Sequence, residues 1–167
     1  MLPNCTEFVG YLSAAAAEST ATVGRWMTWC HPGLTRSEAL EWYQSSERNW
    51  ESGAGYEFSV FTPSGSFVGA AGLNQFNAAN NFANLGYWIR ESRQGQGYAS
   101  RAARLLANFA FSTLKLNRVE LVAAEGNLAS RRVAEKVGAK FEGILRDRLL
   151  VHGVPHNAAM YSLTRVA

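Results

Sequence analysis

Tyr87-Trp88-Ile89-Arg90-Glu91-Ser92-Arg93-Gln94-Gly95-Gln96-Gly97-Tyr98-Ala99 runs from an apolar stretch, through a glycine-bearing loop, into a helical pattern. Ahead of the loop, Ala83 to Arg90 (ANLGYWIR) reads as a strand. Behind it, Ala99, Ala102, Ala103, Leu105, Leu106, Phe109, Ala110 and Leu114 recur at helical spacing, with Arg101 and Arg104 on the charged face. Glycine accepts positive φ and lets the backbone come close to a ligand. Successive N–H groups at a helix N-terminus can then converge on one anion, where the helix dipole also favours negative charge. The loop therefore reads as a pyrophosphate cradle, with Arg93 and Arg101 or Arg104 adding charge-assisted contacts. Two other phosphate motifs fail on spacing. A dinucleotide fingerprint needs a third glycine where Ser100 stands, and no G-x-x-x-x-G-K-[ST] string occurs in the chain. An ordinary tight turn is the competing structural reading of the glycines.

Working outward, the predicted elements form one α+β domain over residues 1–167. Loose helical spacing covers Tyr11 to Met27, and Thr35-Arg36-Ser37-Glu38 is a capping box that opens a helix to about Glu51. Tyr56 to Thr62 alternates as a strand, Pro63 to Ser66 makes a hairpin turn, and Phe67 to Leu73 pairs back. Asn74 to Asn81 reads as a loop. After the long helix come a strand at Arg118 to Ala124, a helix at Asn127 to Val137 stopped by Gly138, and a strand at Phe141 to Leu150. A last hairpin turns at His152 to Pro155 and ends in Ala158 to Leu163. This order implies a mixed sheet with helices on both faces.

Composition narrows the class. The chain has 167 residues, 47% hydrophobic and 17% charged with a net charge of +3, enough to bury a core and far from a disordered composition. No segment reaches the roughly 20 apolar residues of a membrane-spanning helix. The alanine run Ala14 to Ala17 is short, and the N-terminus lacks the basic region of a secretory signal. No membrane partner is expected. Cys5 and Cys30 form neither a disulfide framework nor a zinc spacing, so no metal is expected and a cytoplasmic setting follows. The basic residues are scattered except around Arg90 to Arg104 and Arg131 to Lys140, which points to an anionic ligand and not to direct nucleic-acid binding, which would need a denser basic face.

Gln94-Gly95-Gln96-Gly97-Tyr98-Ala99 resembles the cofactor motif of the GNAT superfamily of N-acetyltransferases, Gln/Arg-x-x-Gly-x-Gly/Ala at a strand-to-helix junction. A second block, Asn127 to Gly143 (NLASRRVAEKVGAKFEG) followed by Leu145-Arg146, resembles the RimJ/RimL branch, which acetylates N-terminal amines of ribosomal proteins. The resemblance implies a mostly antiparallel central sheet and acetyl-CoA as cosubstrate. It implies that the strand before the loop splays from the next one, leaving backbone groups of Tyr87, Trp88 and Ile89 for the pantetheine arm. The pyrophosphate would lie on amides of Gly95, Gln96, Gly97, Tyr98, Ala99 and Ser100, with Gln94 opening the motif and Asn127 binding the pantetheine. The acceptor implied is a primary amine, a ribosomal or other protein N-terminus, with small-molecule amines and a non-catalytic acyl-CoA-binding module as alternatives. Related proteins are often homodimers. The family begins with an edge strand, for which Met1 to Val9 is short and irregular.

An amide near Trp88 or Ile89 would polarise the thioester carbonyl. Many GNAT enzymes carry a Tyr acid on the helix after the Asn, but Val133 and Ala134 stand at the corresponding positions here. Ser130 is the nearest hydroxyl, either the acid or a helix cap. Glu120 is the candidate base, with Glu38, Glu41, Glu57 or a water chain as alternatives. Trp29 and Trp42 either shape an acceptor pocket or pack in the core. His31, His152 and His156 read as surface residues.

Overall fold

Short alternating segments leave each strand with one face to bury on either side, and the chain solves this with one sheet between two helical layers. The computed structural model describes residues 1–165. Its strands are β1 (Leu2–Pro3), β2 (Tyr56–Phe61), β3 (Phe67–Asn77), β4 (Phe82–Ile89), β5 (Arg118–Ala124), β6 (Lys140–Val151) and β7 (Val154–Thr164). Its helices are α1 (Val9–Ser19), α2 (Arg36–Ser52), α3 (Tyr98–Ser112) and α4 (Leu128–Lys136). The sheet order is β1-β2-β3-β4-β5-β7-β6, and among these neighbours β4 and β5 alone run parallel. The expected mixed, mostly antiparallel sheet with helices on both faces is what forms.

The alternation assigns the faces. Ala71, Leu73, Ala83, Leu85, Val119 and Leu121 turn toward α3, joining its buried stripe of Ala102, Ala103, Leu106 and Ala110. Ala70 and Trp88 turn the other way, toward Leu12, Ala15 and Ala16 of α1 and Tyr43 of α2. Each fully buried side chain of the Leu or Val class contributes about 1.5–3 kcal/mol, so the two cores hold the sheet rigid beneath the loop. The capping box forms as expected: Thr35 Oγ1 accepts from Glu38 N, and Thr35 N donates to Glu38 Oε2 at 2.8 Å.

Three expectations need correction. The first helix ends at Ser19, not Met27. There the Ser19 carbonyl takes hydrogen bonds from Val23 N (2.8 Å) and Gly24 N (3.1 Å), winding the chain into turns. Gly24 is packed so tightly that a Cβ would lie 2.3 Å from the carbonyls of Thr20 and Cys30. Second, β3 extends through Asn77, because a bulge at Gln75, with φ 50°, lets the polar segment stay paired with β4. Third, an edge strand does precede the first helix. Only Leu2 and Pro3 pair with β2, too few residues to show alternation, and buried Asn4 anchors them by accepting from Ser59 Oγ at 2.7 Å.

Candidate active site

Parallel pairing between β4 and β5 is confined to Phe82–Asn84 against Arg118–Glu120. Beyond that point the strands diverge. Leu85 to Ile89 and Leu121 to Ala124 become facing walls of a cleft of about 720 Å³, closed at one end by the glycine loop and along one side by α4. The predicted splay is therefore present, but the Trp88 carbonyl turns to Gly69 of β3, so the backbone left open on the β5 side is that of Tyr87 and Ile89.

The loop is built to expose amides. Gly95 and Gly97 adopt φ of 74° and 79°, and Gly97 is the N-cap of α3 without any side-chain cap. The first α3 amide with an acceptor is Arg101, bonded to Gly97 O at 3.1 Å. The N–H groups of Gly95 through Ser100 have no protein acceptor among the described residues. Unbonded donors at the positive end of a fifteen-residue helix fit an anion such as a pyrophosphate. Gln94 takes a different part from a phosphate ligand: its Nε2 donates to Ile89 O at 2.9 Å, bracing the loop against the end of β4. Gln96 turns its side chain to Ser92 O, and the Arg101 guanidinium folds back to Gln96 O. Arg93 lines the cleft, whereas Arg104 bonds the carbonyl of Lys136 and ties α3 to α4.

The loop is also fastened from behind. Glu18, at the end of α1, accepts from both Arg90 and Ser92, and Ser19 Oγ accepts from Glu91 N at 3.0 Å. The Arg90 hydrogen bond holds the Glu18 carboxyl down at about 2.

On the α4 wall, Asn127 is the helix N-cap, with Oδ1 accepting from Ser130 N at 3.1 Å. The Ser130 amide is thus the capped group, and its hydroxyl does no capping. That hydroxyl lies 3.0 Å from Tyr87 Oη, which also donates to Ser130 O at 3.1 Å. Burial pushes the Tyr87 phenol up to about 12, with the Ser130 hydrogen bond acting in the opposite sense. Ser130 and Tyr87 both line the cleft.

The structure does not bring Glu120 there. Its carboxylate accepts from Arg118 Nε at 2.8 Å, in a network that continues through Arg118 to Glu142 and Ser162. Glu38 is taken up by the capping box, and Glu57 accepts from Asn74 Nδ2 at 3.2 Å, with burial raising its carboxyl. Trp29 packs on Trp88 at 5.0 Å between ring centres and Trp42 on Tyr43 at 4.8 Å, so both are half-buried side chains packed against the core, and neither lines the cleft. Among the described residues no group of His, Cys, Asp and Glu is arranged to hold a metal, and no helix is long and apolar enough to cross a membrane.

Sequence reasoning missed the wall formed by Thr22, Arg25, Trp26 and Met27, together with Leu149 to Val151 from the β6–β7 hairpin. The two segments are joined where His152 Nε2 meets Gly24 O at 2.7 Å. No local signal marks this contact, which spans 128 positions. The ionisable side chains lining the cleft are Arg25, Arg93, Arg132, Lys136, Tyr87 and Tyr98, all cations or phenols.

Residues 10–140 match the family model described as acetyltransferase (GNAT) domain. Over 101 residues the chain is 42% identical to a Bacillus subtilis (strain 168) protein named "Putative ribosomal N-acetyltransferase YdaF", covering 60% of this chain and 55% of that protein. The chain thus matches little more than half the length of that relative. A crystal structure titled "Probable acetyltransferase" superimposes with a TM-score of 0.88 at 30% identity, over 96% of this chain and 89% of that one. RimL, a ribosomal L7/L12 alpha-N-protein acetyltransferase solved in complex with coenzyme A, shares the fold with a TM-score of 0.88 at 22% identity, over 98% and 92% of the two chains.

Proposed function

The chain belongs to the GNAT acetyltransferase family, and we propose on that footing that it transfers the acetyl group of acetyl-CoA to a primary amine, a protein N-terminus being the favoured acceptor. GNAT acetyltransferases use acetyl-CoA, which supplies an activated thioester carbonyl. One observation carries the reading for this chain: the unbonded amides of Gly95 to Ser100 stand at the end of the cleft opened by the splay of β4 from β5. Those amides would hold the pyrophosphate, with Arg93 adding charge. The free edge of β4 at Tyr87 and Ile89, and the Asn127 side chain, would orient the arm that carries the acetyl group. An amide near Trp88 or Ile89 would stabilise the developing oxyanion, a contribution of about 2.7–4 kcal/mol for a well-placed donor. The Ser130 hydroxyl would act as the acid toward the leaving sulfur.

The cationic lining supports a neutral acceptor. Positive neighbours lower the pKa of an amine. An N-terminal amine, at about 7.7–8.0, then sheds its proton to water near neutrality, whereas an alkyl ammonium such as lysine, at about 10.4, stays charged and repelled. A water-borne proton path takes the place that Glu120 was expected to fill. Acting as one domain over residues 1–167, the protein would work in a reducing cytoplasm, in keeping with its free thiols Cys5 and Cys30.

The test is thiol release from acetyl-CoA with peptides bearing free N-terminal Ser or Ala, and with spermidine in parallel. Turnover with the peptides above that with spermidine is expected. Tight CoA binding without thiol release from any amine would favour a non-catalytic acyl-CoA-binding module.

A further inference from the structure

The family's phenol is missing from α4, yet a phenol does reach the α4 hydroxyl, from the opposite wall of the cleft. Tyr87 crosses from β4 to lie 3.0 Å from Ser130 Oγ and 3.1 Å from Ser130 O, while Asn127 fixes the Ser130 backbone from below. We infer that Tyr87 is the positioning residue for Ser130, donating its phenol proton to Ser130 Oγ so that the serine's own proton points into the cleft at the departing sulfur. The phenol has one proton and two acceptors within reach, so it can rest on the Ser130 carbonyl and move to Oγ as that oxygen gains negative charge. Pushed up to about 12, Tyr87 keeps its proton across the working range and serves as a donor, not as the acid itself. The balance is complete without another reactant. The amine nitrogen bonds to the carbonyl carbon and the carbon–sulfur bond breaks. Ser130 gives its hydroxyl proton to sulfur and takes up the one shed by nitrogen.

Tyr87 has this role only if Ser130 is the acid, as proposed above, and the test separates the two. CoA is bound to the wild type, Tyr87→Phe, Ser130→Ala and the double variant, and its thiol is titrated by the ultraviolet absorbance of the thiolate, as the difference between loaded and unloaded protein. A hydroxyl aimed at sulfur stabilises the thiolate and lowers the titration midpoint. Ser130→Ala is expected to raise that midpoint by about one pH unit, the scale of one hydrogen bond to a charged group. Tyr87→Phe should raise it by about half as much or more, and the double variant should match Ser130→Ala. A wild-type midpoint in Tyr87→Phe, or single shifts that simply add in the double variant, overturns the positioning role alone. A wild-type midpoint in Ser130→Ala, or CoA that does not bind, overturns the acid assignment and the positioning role with it. The readout needs no acceptor amine, and a purely structural tyrosine would leave it unmoved.

Discussion

Glu18 and Arg90, 72 positions apart, form a two-point ion pair with Nε to Oε1 at 2.7 Å and Nη2 to Oε2 at 2.6 Å. The same carboxylate accepts from Ser92 N at 3.2 Å and Ser92 Oγ at 2.7 Å. This contact joins the end of α1 to the turn entering the glycine loop, so the amides that face the cleft are held in place by a helix on the opposite side of the sheet. Glu18→Gln keeps the shape and removes the charge. With a paired, part-exposed carboxylate worth about 1 kcal/mol, the Kd for CoA should rise about fivefold. Titration calorimetry of the variant checks this, and an unchanged Kd would mean that the loop is held without the ion pair, by α3 and the Ser19 and Gln94 hydrogen bonds.

The same pair sets an acid dependence. Glu18 lies at about 2 in the folded protein against an ordinary 4.5, chiefly through the Arg90 hydrogen bond. A carboxylate depressed on folding contributes its stability in full above its unfolded pKa and loses it as pH falls through the folded one. The wild type should therefore exceed Glu18→Gln in stability above pH 4.5, and the gap should close between pH 4.5 and about 2. Urea midpoints measured at pH 7, 4.5, 3.5 and 2.5 follow the gap directly.

Gly97 has φ 79°, where a β-branched residue is strained, although a Cβ would meet nothing nearer than Ser100 Oγ at 3.9 Å. Gly97→Val should thus cost about 1–2 kcal/mol of stability through the backbone while still folding. It should weaken CoA binding more than tenfold by standing over the amides. Calorimetry with CoA and a thermal melt report the two effects separately.

Asn127 Oδ1 is the acceptor of the α4 cap, and the proposed site gives its Nδ2 a separate part as donor to the cofactor. Asn127→Ala should lose about 1 kcal/mol of stability with the cap. Asn127→Asp should restore the cap and the melting temperature yet leave CoA affinity low, since a carboxylate cannot donate. Equal CoA affinity in Asn127→Asp and wild type would remove Asn127 from the binding site and leave it the cap alone.

Ser130→Ala should lower kcat by about 10²-fold with little change in the KM for acetyl-CoA, the signature of a group used only in the transition state. A loss of melting temperature at normal kcat would instead mark Ser130 as structural.

The amino-acid sequence revealed the local features whose chemistry repeats over short distances. Gln94 to Ala99 is a glycine turn entering a helix whose apolar stripe is continuous, and Thr35 with Glu38 is a cap whose partners are three residues apart. Both are readable because the forces that form them are local. The end of α1 is hidden in the sequence because Val23, Trp26 and Met27 keep helical spacing while the chain turns away at Ser19. The hidden features are long-range pairings. Arg90 reaches Glu18 across 72 positions, and Tyr87 contributes a side chain where only its backbone was expected. Neither follows from spacing, since each depends on which distant elements become neighbours, whereas Glu120 meets Arg118 two positions away on β5, a pairing that period-two spacing does offer.

Isothermal titration of the protein with CoA and acetyl-CoA, with NAD and ATP as controls, tests the central claim most directly. The free amides beside the splayed strands predict saturable one-to-one binding of both CoA species, weakened more than tenfold in Gly97→Val, and a clear rise in melting temperature, since about 2.7 kcal/mol is gained at a hundred times Kd. No heat and no stabilisation with CoA, or equal binding of NAD and ATP, would contradict it and leave the glycine loop as a turn.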